Sequence, residues 1–171
     1  MTRRRTTRRV GVAAAVLATT GALALVPPAG AHAADGTPRT IRSYIAIDKC
    51  LEVADWRTDD GAPVRIWTCT GGANQQWIRT AYNEFVNVNS GKCLDIPDYS
   101  TEPGTQAVQW TCNRGLNQSW HTIHHKWYPE WYAYNGHSGL LLDLFGWDTS
   151  DGAPVGQWTS PSVQNFNQRW Y

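Results

Sequence analysis

The chain has 171 residues, with 15 Lys and Arg against 14 Asp and Glu, a formal net charge of +1. A domain of this size buries an adequate core but leaves no room for a second, catalytic domain beside it. Five of the basic residues fall within the first nine, and the ten that remain against fourteen acids argue against nucleic acid or an anionic membrane surface as a partner held by general electrostatics.

In chain order, the first segment is a basic run (Arg3, Arg4, Arg5, Arg8 and Arg9) followed by an apolar, Ala-rich stretch from Val10 to about Val26. Ala31-His32-Ala33 places small residues at the two positions a signal peptidase reads. Residues 1–33 are therefore expected to be a signal peptide, cleaved after Ala33, and the mature protein to be secreted. A membrane anchor is the competing reading. The apolar run is near the lower length limit for a span and is broken by Gly21, Pro27 and Pro28. Arg8-Arg9 also suits the twin-arginine export route, but Gly11 stands where that signal usually carries a bulky apolar residue, so the route stays open. Cleavage removes five basic residues and leaves ten against fourteen acids, a net charge of −4 with no basic cluster. Residues 34–42 read as a short leader, and 43–171 as one domain.

That domain is written three times. Asn74-Gln75-Gln76-Trp77, Asn117-Gln118-Ser119-Trp120 and Asn167-Gln168-Arg169-Trp170 are copies of Asn-Gln-x-Trp. Upstream of them stand Cys50-Leu51-Glu52-Val53, Cys93-Leu94-Asp95-Ile96 and Leu141-Leu142-Asp143-Leu144. The interval from the acid to a tryptophan is 15 in every copy: 52 to 67, 95 to 110, 143 to 158. Repeats at about 43–80, 81–127 and 128–171 follow, with five extra residues of the third interval falling between His121 and Tyr134.

Four cysteines allow three connectivities. The first two repeats place theirs at equal intervals of 19, and equivalent positions in equivalent units should pair alike, giving Cys50–Cys69 and Cys93–Cys112. The third repeat has Leu141 and Ser160 there. Short alternating runs such as Val64 and Ile66, bounded by Gly, Asp, Asn and Pro, are β in character, and no stretch keeps a helical period for three turns. Three units of four short strands suggest a closed, pseudo-three-fold barrel without exposed edges. A WD-type propeller has a similar period, but three blades are too few to close it.

Cys-Leu-Asp-Ile, an aromatic 15 residues past the acid and Asn-Gln-x-Trp, all in triplicate, resemble the ricin B-type lectin family, the same as carbohydrate-binding module family 13. The resemblance spans about residues 43–171. It implies an all-β fold, a β-trefoil of about twelve short strands, and a shallow sugar site in each repeat. An acid accepts from sugar hydroxyls, an aromatic ring stacks on the C–H face, an Asn completes the grip, and the neighbouring Gln orients the acid. Carried over, the second site is Asp95, Trp110, Asn117 and Gln118, and the third is Asp143, Trp158, Asn167 and Gln168. The first is Glu52, Trp67, Asn74 and Gln75, ranked lowest because Glu is one methylene longer and crowds the sugar's space. Many relatives place a polar residue at acid+13; Arg65, Val108 and Gly156 stand there, so one hydrogen bond per site is expected to be missing. Trp56, Tyr99 and Trp147, four residues past each acid, are either a rim that stacks a longer glycan or ordinary loop packing. Trp77, Trp120 and Trp170 are expected in the core.

Other chemistry is less well supported. His121, His124 and His125 suggest zinc, but a zinc site needs three or four converging ligands and no cysteine is left to help. Asp59, Asp60, Asp148 and Asp151 sit at turn positions beside Gly61 and Gly152, where Asp is expected. No metal, cofactor or catalytic residue is expected, and the molecule is expected to be a monomer. The sequence thus reads as a secreted, multivalent carbohydrate-binding protein. The alternative is a β-trefoil that binds protein, such as a secreted inhibitor or a toxin-associated subunit.

Overall fold

A computed structural model describes residues 1, 36–124, 126–160 and 165–171. Apart from Met1, the expected signal peptide lies outside these residues, as does His125. The fold is all-β. Among the described residues eleven strands run β1 (Arg39–Thr40), β2 (Lys49–Val53), β3 (Ala62–Thr68), β4 (Gln76–Arg79), β5 (Phe85–Asn87), β6 (Cys93–Asp95), β7 (Val108–Trp110), β8 (Trp120–His124), β9 (Trp131–Asn135), β10 (Leu141–Leu144) and β11 (Val155–Trp158). They pair antiparallel in a seven-stranded sheet, β1-β4-β5-β6-β7-β3-β2, and a four-stranded one, β11-β10-β9-β8. A twelfth strand is reduced to isolated bridges from Trp170 to Ser43 and to Trp131. Both disulfides, Cys50–Cys69 and Cys93–Cys112, are formed.

The core is three-fold because the alternation is. Leu51 and Val53, Leu94 and Ile96, Leu142 and Leu144 all point inward and are fully buried. The residue between each pair, the acid, must then point to the opposite face of its strand. Trp77, Trp120 and Trp170 fill the core, and each satisfies its indole N–H on the carbonyl of the residue before the acid: Leu51 and Leu94 at 3.0 Å, Leu142 at 3.1 Å. A buried indole without that acceptor would lose about 1–3 kcal/mol.

The repeats close on one another. The amide N–H of Gly61 donates to the Gln109 carbonyl at 2.9 Å, that of Gly104 to Gln157 at 2.8 Å, and that of Gly152 to Ile66 at 2.9 Å. Each repeat thus hands one bond to the next around a complete ring. The five extra residues of the third interval fall within the β8–β9 hairpin and its connection, away from the three acids.

Candidate functional site

Strand register explains the constant interval of 15. In the hairpin of β2 and β3, Glu52 faces Arg65 and Cys50 faces Trp67. Likewise Asp95 faces Val108 and Cys93 faces Trp110, and Asp143 faces Gly156 and Leu141 faces Trp158. Directly paired residues share a face, and so do residues two apart along a strand. The acid, acid+13, the tryptophan and the cysteine position therefore lie together on the outer face of each hairpin.

A single 3₁₀ turn brings in the amides: Ala73–Gln75, Leu116–Gln118 and Phe166–Gln168. In the second repeat, Asn117 Nδ2 donates to Asp95 Oδ2 at 3.0 Å and Gln118 Nε2 donates to the same oxygen at 2.8 Å. The third repeats this, with Asn167 at 3.0 Å and Gln168 at 2.8 Å from Asp143 Oδ2. The second proton of each amide is also committed, to the carbonyls of Ile96 and Thr111 and of Leu144 and Thr159. Both Asn and Gln therefore orient the acid, and the Asn has no amide proton left for a ligand. What each acid leaves unclaimed is one carboxylate oxygen. Among the described residues nothing donates to Asp95 Oδ1 or Asp143 Oδ1, and Asn117 Oδ1 and Asn167 Oδ1 are buried without a partner. Trp110 and Trp158 lie beside these acceptors, each 43% exposed.

Burial pushes the Asp95 carboxyl up to about 6, against the opposing pull of the Gln118 and Asn117 amides. Asp143 is pushed up to about 6 for the same reason, opposed by Gln168 and Asn167. Each is held ionised at neutral pH at a cost to stability.

The first repeat keeps the parts but joins them differently. Asn74 and Gln75 donate to Glu52 Oε2 at 3.2 and 3.0 Å. Glu52 Oε1, however, accepts from Arg65 Nε at 3.0 Å, while Arg65 NH2 reaches Asp55 Oδ1 at 2.9 Å. At acid+13, where a bond to a ligand is expected to be missing, Arg65 spends its donor on the acid itself.

Each pocket also borrows from the preceding repeat. Gly61 lies against Trp110, Gly104 against Trp158 and Gly152 against Trp67, where an added Cβ would sit 3.8, 3.0 and 3.8 Å from the ring. All three glycines are left-handed, at φ +81°, +89° and +93°, a turn that side chains seldom adopt. In the sequence Gly61 and Gly152 read only as turns. Gln109 and Gln157 were not singled out at all. Their buried amides hold the rim loops of the preceding repeat, through the carbonyls of Arg57 and Asp59 and of Ser100 and Glu102.

The rim aromatics end a turn of two successive left-handed residues: Asp55 and Trp56, Asp98 and Tyr99, Gly146 and Trp147. Non-glycine residues held this way are costly, at about 1–3 kcal/mol each, and such strain clusters at binding sites. Trp56 lines the cleft with Glu52, and Trp147 lines the cleft with Asp143. In the third cleft Phe145 also meets Trp158 edge-on, with centroids 6.1 Å apart, in the space that Gly156 leaves free. His121 stacks on Tyr134, and His124 is exposed. Among the described residues no cluster of three or more His, Cys, Asp or Glu has the geometry to hold a metal.

Residues 37–170 match the sequence profile of the ricin-type β-trefoil lectin domain. Among solved structures, a designed three-fold symmetric protein, ThreeFoil, is 31% identical with a TM-score of 0.73, over 78% of this chain and 95% of that one. An exo-β-1,3-galactanase from Clostridium thermocellum is 32% identical with a TM-score of 0.74; the match covers 80% of this chain but only 30% of the enzyme. The ricin B-like lectin of Macrolepiota procera, solved with lactose, shares the fold at 21% identity and a TM-score of 0.67, over 79% and 93% of the two chains.

Proposed function

The chain belongs to the ricin-type β-trefoil lectin family, and from that premise we propose that it is a secreted, non-catalytic protein that binds glycans multivalently through its second and third pockets. The carrying observation is the pair of acids, Asp95 and Asp143, each with one oxygen fixed by two amides and the other left beside an exposed indole. A sugar offers the complement: hydroxyl donors on its edge and a C–H face for the ring. One such pocket holds a monosaccharide at about millimolar Kd, roughly −4 kcal/mol. Pockets that point in different directions about a three-fold axis suit a polymer or a glycan-coated surface. There the second contact forms at high effective concentration and raises avidity by about 10²- to 10⁴-fold. The galactanase and the lactose-bound lectin make β-1,3-galactan and lactose the first probes. A glycan array of the secreted chain should show binding that Asp95→Ala with Asp143→Ala abolishes. An array without signal, alongside a captured protein partner, would favour the protein-binding reading instead.

A further inference from the structure

We infer that the first pocket carries its own internal ligand: Arg65 takes the acid and the ring that a sugar would use, which leaves two sites free to bind. The inference rests on the reading that the acid–indole clefts are glycan sites, and it adds which of them is shut and by what.

The Arg65 guanidinium carbon lies 4.5 Å from the centroid of the Trp67 ring. It therefore covers the face that a pyranose would stack on. Its Nε donates to Glu52 Oε1 at 3.0 Å, and NH2 donates to Asp55 Oδ1 at 2.9 Å. A flat group that stacks on the indole and donates to the acid reproduces both halves of what a sugar would do here. The consequences appear on each partner. Both oxygens of Glu52 are taken, one by Arg65 and one by Asn74 and Gln75, whereas Asp95 and Asp143 each keep one free of donors among the described residues. Trp67 is half-buried, whereas Trp110 and Trp158 are exposed.

Two departures from the repeat pattern become one device. Glu52 and Arg65 are directly paired across β2 and β3. The only repeat with Glu for Asp is also the only one with Arg at acid+13; the others have Val108 and Gly156. The extra methylene of Glu52 carries its carboxylate toward Arg65, and Arg65 reaches on to Asp55, a residue held at φ 54° at the pocket's edge. The Arg65 side chain is only 20% exposed, and a charged, planar donor that bridges two carboxylates is not easily displaced by a neutral hydroxyl.

The test uses the secreted chain on β-1,3-galactan beads and lactosyl-agarose. Wild-type retention reports on the second and third pockets by itself. Asp95→Ala with Asp143→Ala should abolish retention, and adding Arg65→Val with Glu52→Asp, which copies the second pocket into the first, should restore it at least tenfold. Retention by wild type together with no gain on opening a folded quadruple variant would overturn the inference. Equal retention before and after opening would overturn it too. If the quadruple variant does not fold, Arg65→Lys in the same double-Ala background takes its place. It loses the planar fork, and it too should gain retention over that background; no gain overturns the inference. If wild type binds neither probe, the glycan reading fails for those sugars and the plug is judged by NMR alone. The Arg65 Nε proton should then exchange slowly and carry a ring-current shift that Trp67→Ala and Glu52→Gln both remove. A fast-exchanging proton at the random-coil shift would refute it.

Discussion

The first and second repeats have the same hairpin, the same 19-residue disulfide loop and the same Asn-Gln pair, and they place a tryptophan at the same distance from an acid. They differ at two facing positions, Glu52 and Arg65 against Asp95 and Val108. In the second repeat the acid is buried, costly and half-satisfied; in the first it is saturated from within the protein. The fold tolerates either outcome, because the scaffold bonds (the indole N–H to the strand carbonyl and the Gln to the acid) are the same in both. On the proposed reading, binding capacity on this scaffold becomes a property of one cross-strand pair, separable from the repeat that carries it.

Removing the open acids should have the largest effect. Asp95→Ala with Asp143→Ala should abolish retention on β-1,3-galactan, each single change should remove the second contact and lower retention by about 10²- to 10⁴-fold, and Glu52→Ala should leave retention unchanged. If the double variant is retained as well as a single one, the pockets do not act together. If Glu52→Ala is the most damaging change, the contrast between the repeats is drawn the wrong way round.

A second test turns the second repeat into an analogue of the third, which has Leu141 and Ser160 where the others have cysteines. Cys93→Ser with Cys112→Ser should cost about 3 kcal/mol in urea unfolding, from the chain-entropy loss of a short closed loop. Non-reducing peptide mapping should find only the 50–69 and 93–112 links in the native protein.

A smaller effect separates the acids by sign. Asp95 is raised to about 6 when folded, above its ordinary value of 3.8. The folded chain thus binds the proton more tightly than the unfolded one, and this group lowers stability as pH rises from about 4 to about 6. Asp95→Asn keeps an acceptor for the Asn117 and Gln118 amides while removing the buried charge. It should raise stability at pH 7 by about 2 kcal/mol while weakening glycan binding. Glu52→Gln removes the charged partner of Arg65 and should instead lower stability, by about 1–3 kcal/mol. In the wild type, protonation of Asp95 and Asp143 should release a galactan-bound chain as pH falls through about 6.

Much of the site is legible in the sequence because a hairpin converts spacing into position. With the acid facing acid+13, a tryptophan at acid+15 must share its face, and that holds for all three copies. The disulfides and the tryptophan core are legible for the same reason, as repeated positions with repeated neighbours. Other features need the third dimension. Arg65 reads along the chain as a poor substitute for a hydrogen-bonding residue, and only the cross-strand pairing turns it toward Glu52. The buttress from Gly61 to Trp110 joins different repeats, so no local pattern contains it. The six 3₁₀ turns among the described residues are three residues each, too short to leave a period, and five of the six rim residues are left-handed without being the glycine that would have announced the turn.

The most direct test of the contrast between the repeats is a lactose titration followed through the indole Nε1–H resonances of the wild-type protein. The signals of Trp110 and Trp158 should shift together with an apparent Kd of about a millimolar, and that of Trp67 should stay still because Arg65 already covers its ring. A Trp67 signal that moves in step with the other two would show three equivalent pockets and contradict the account.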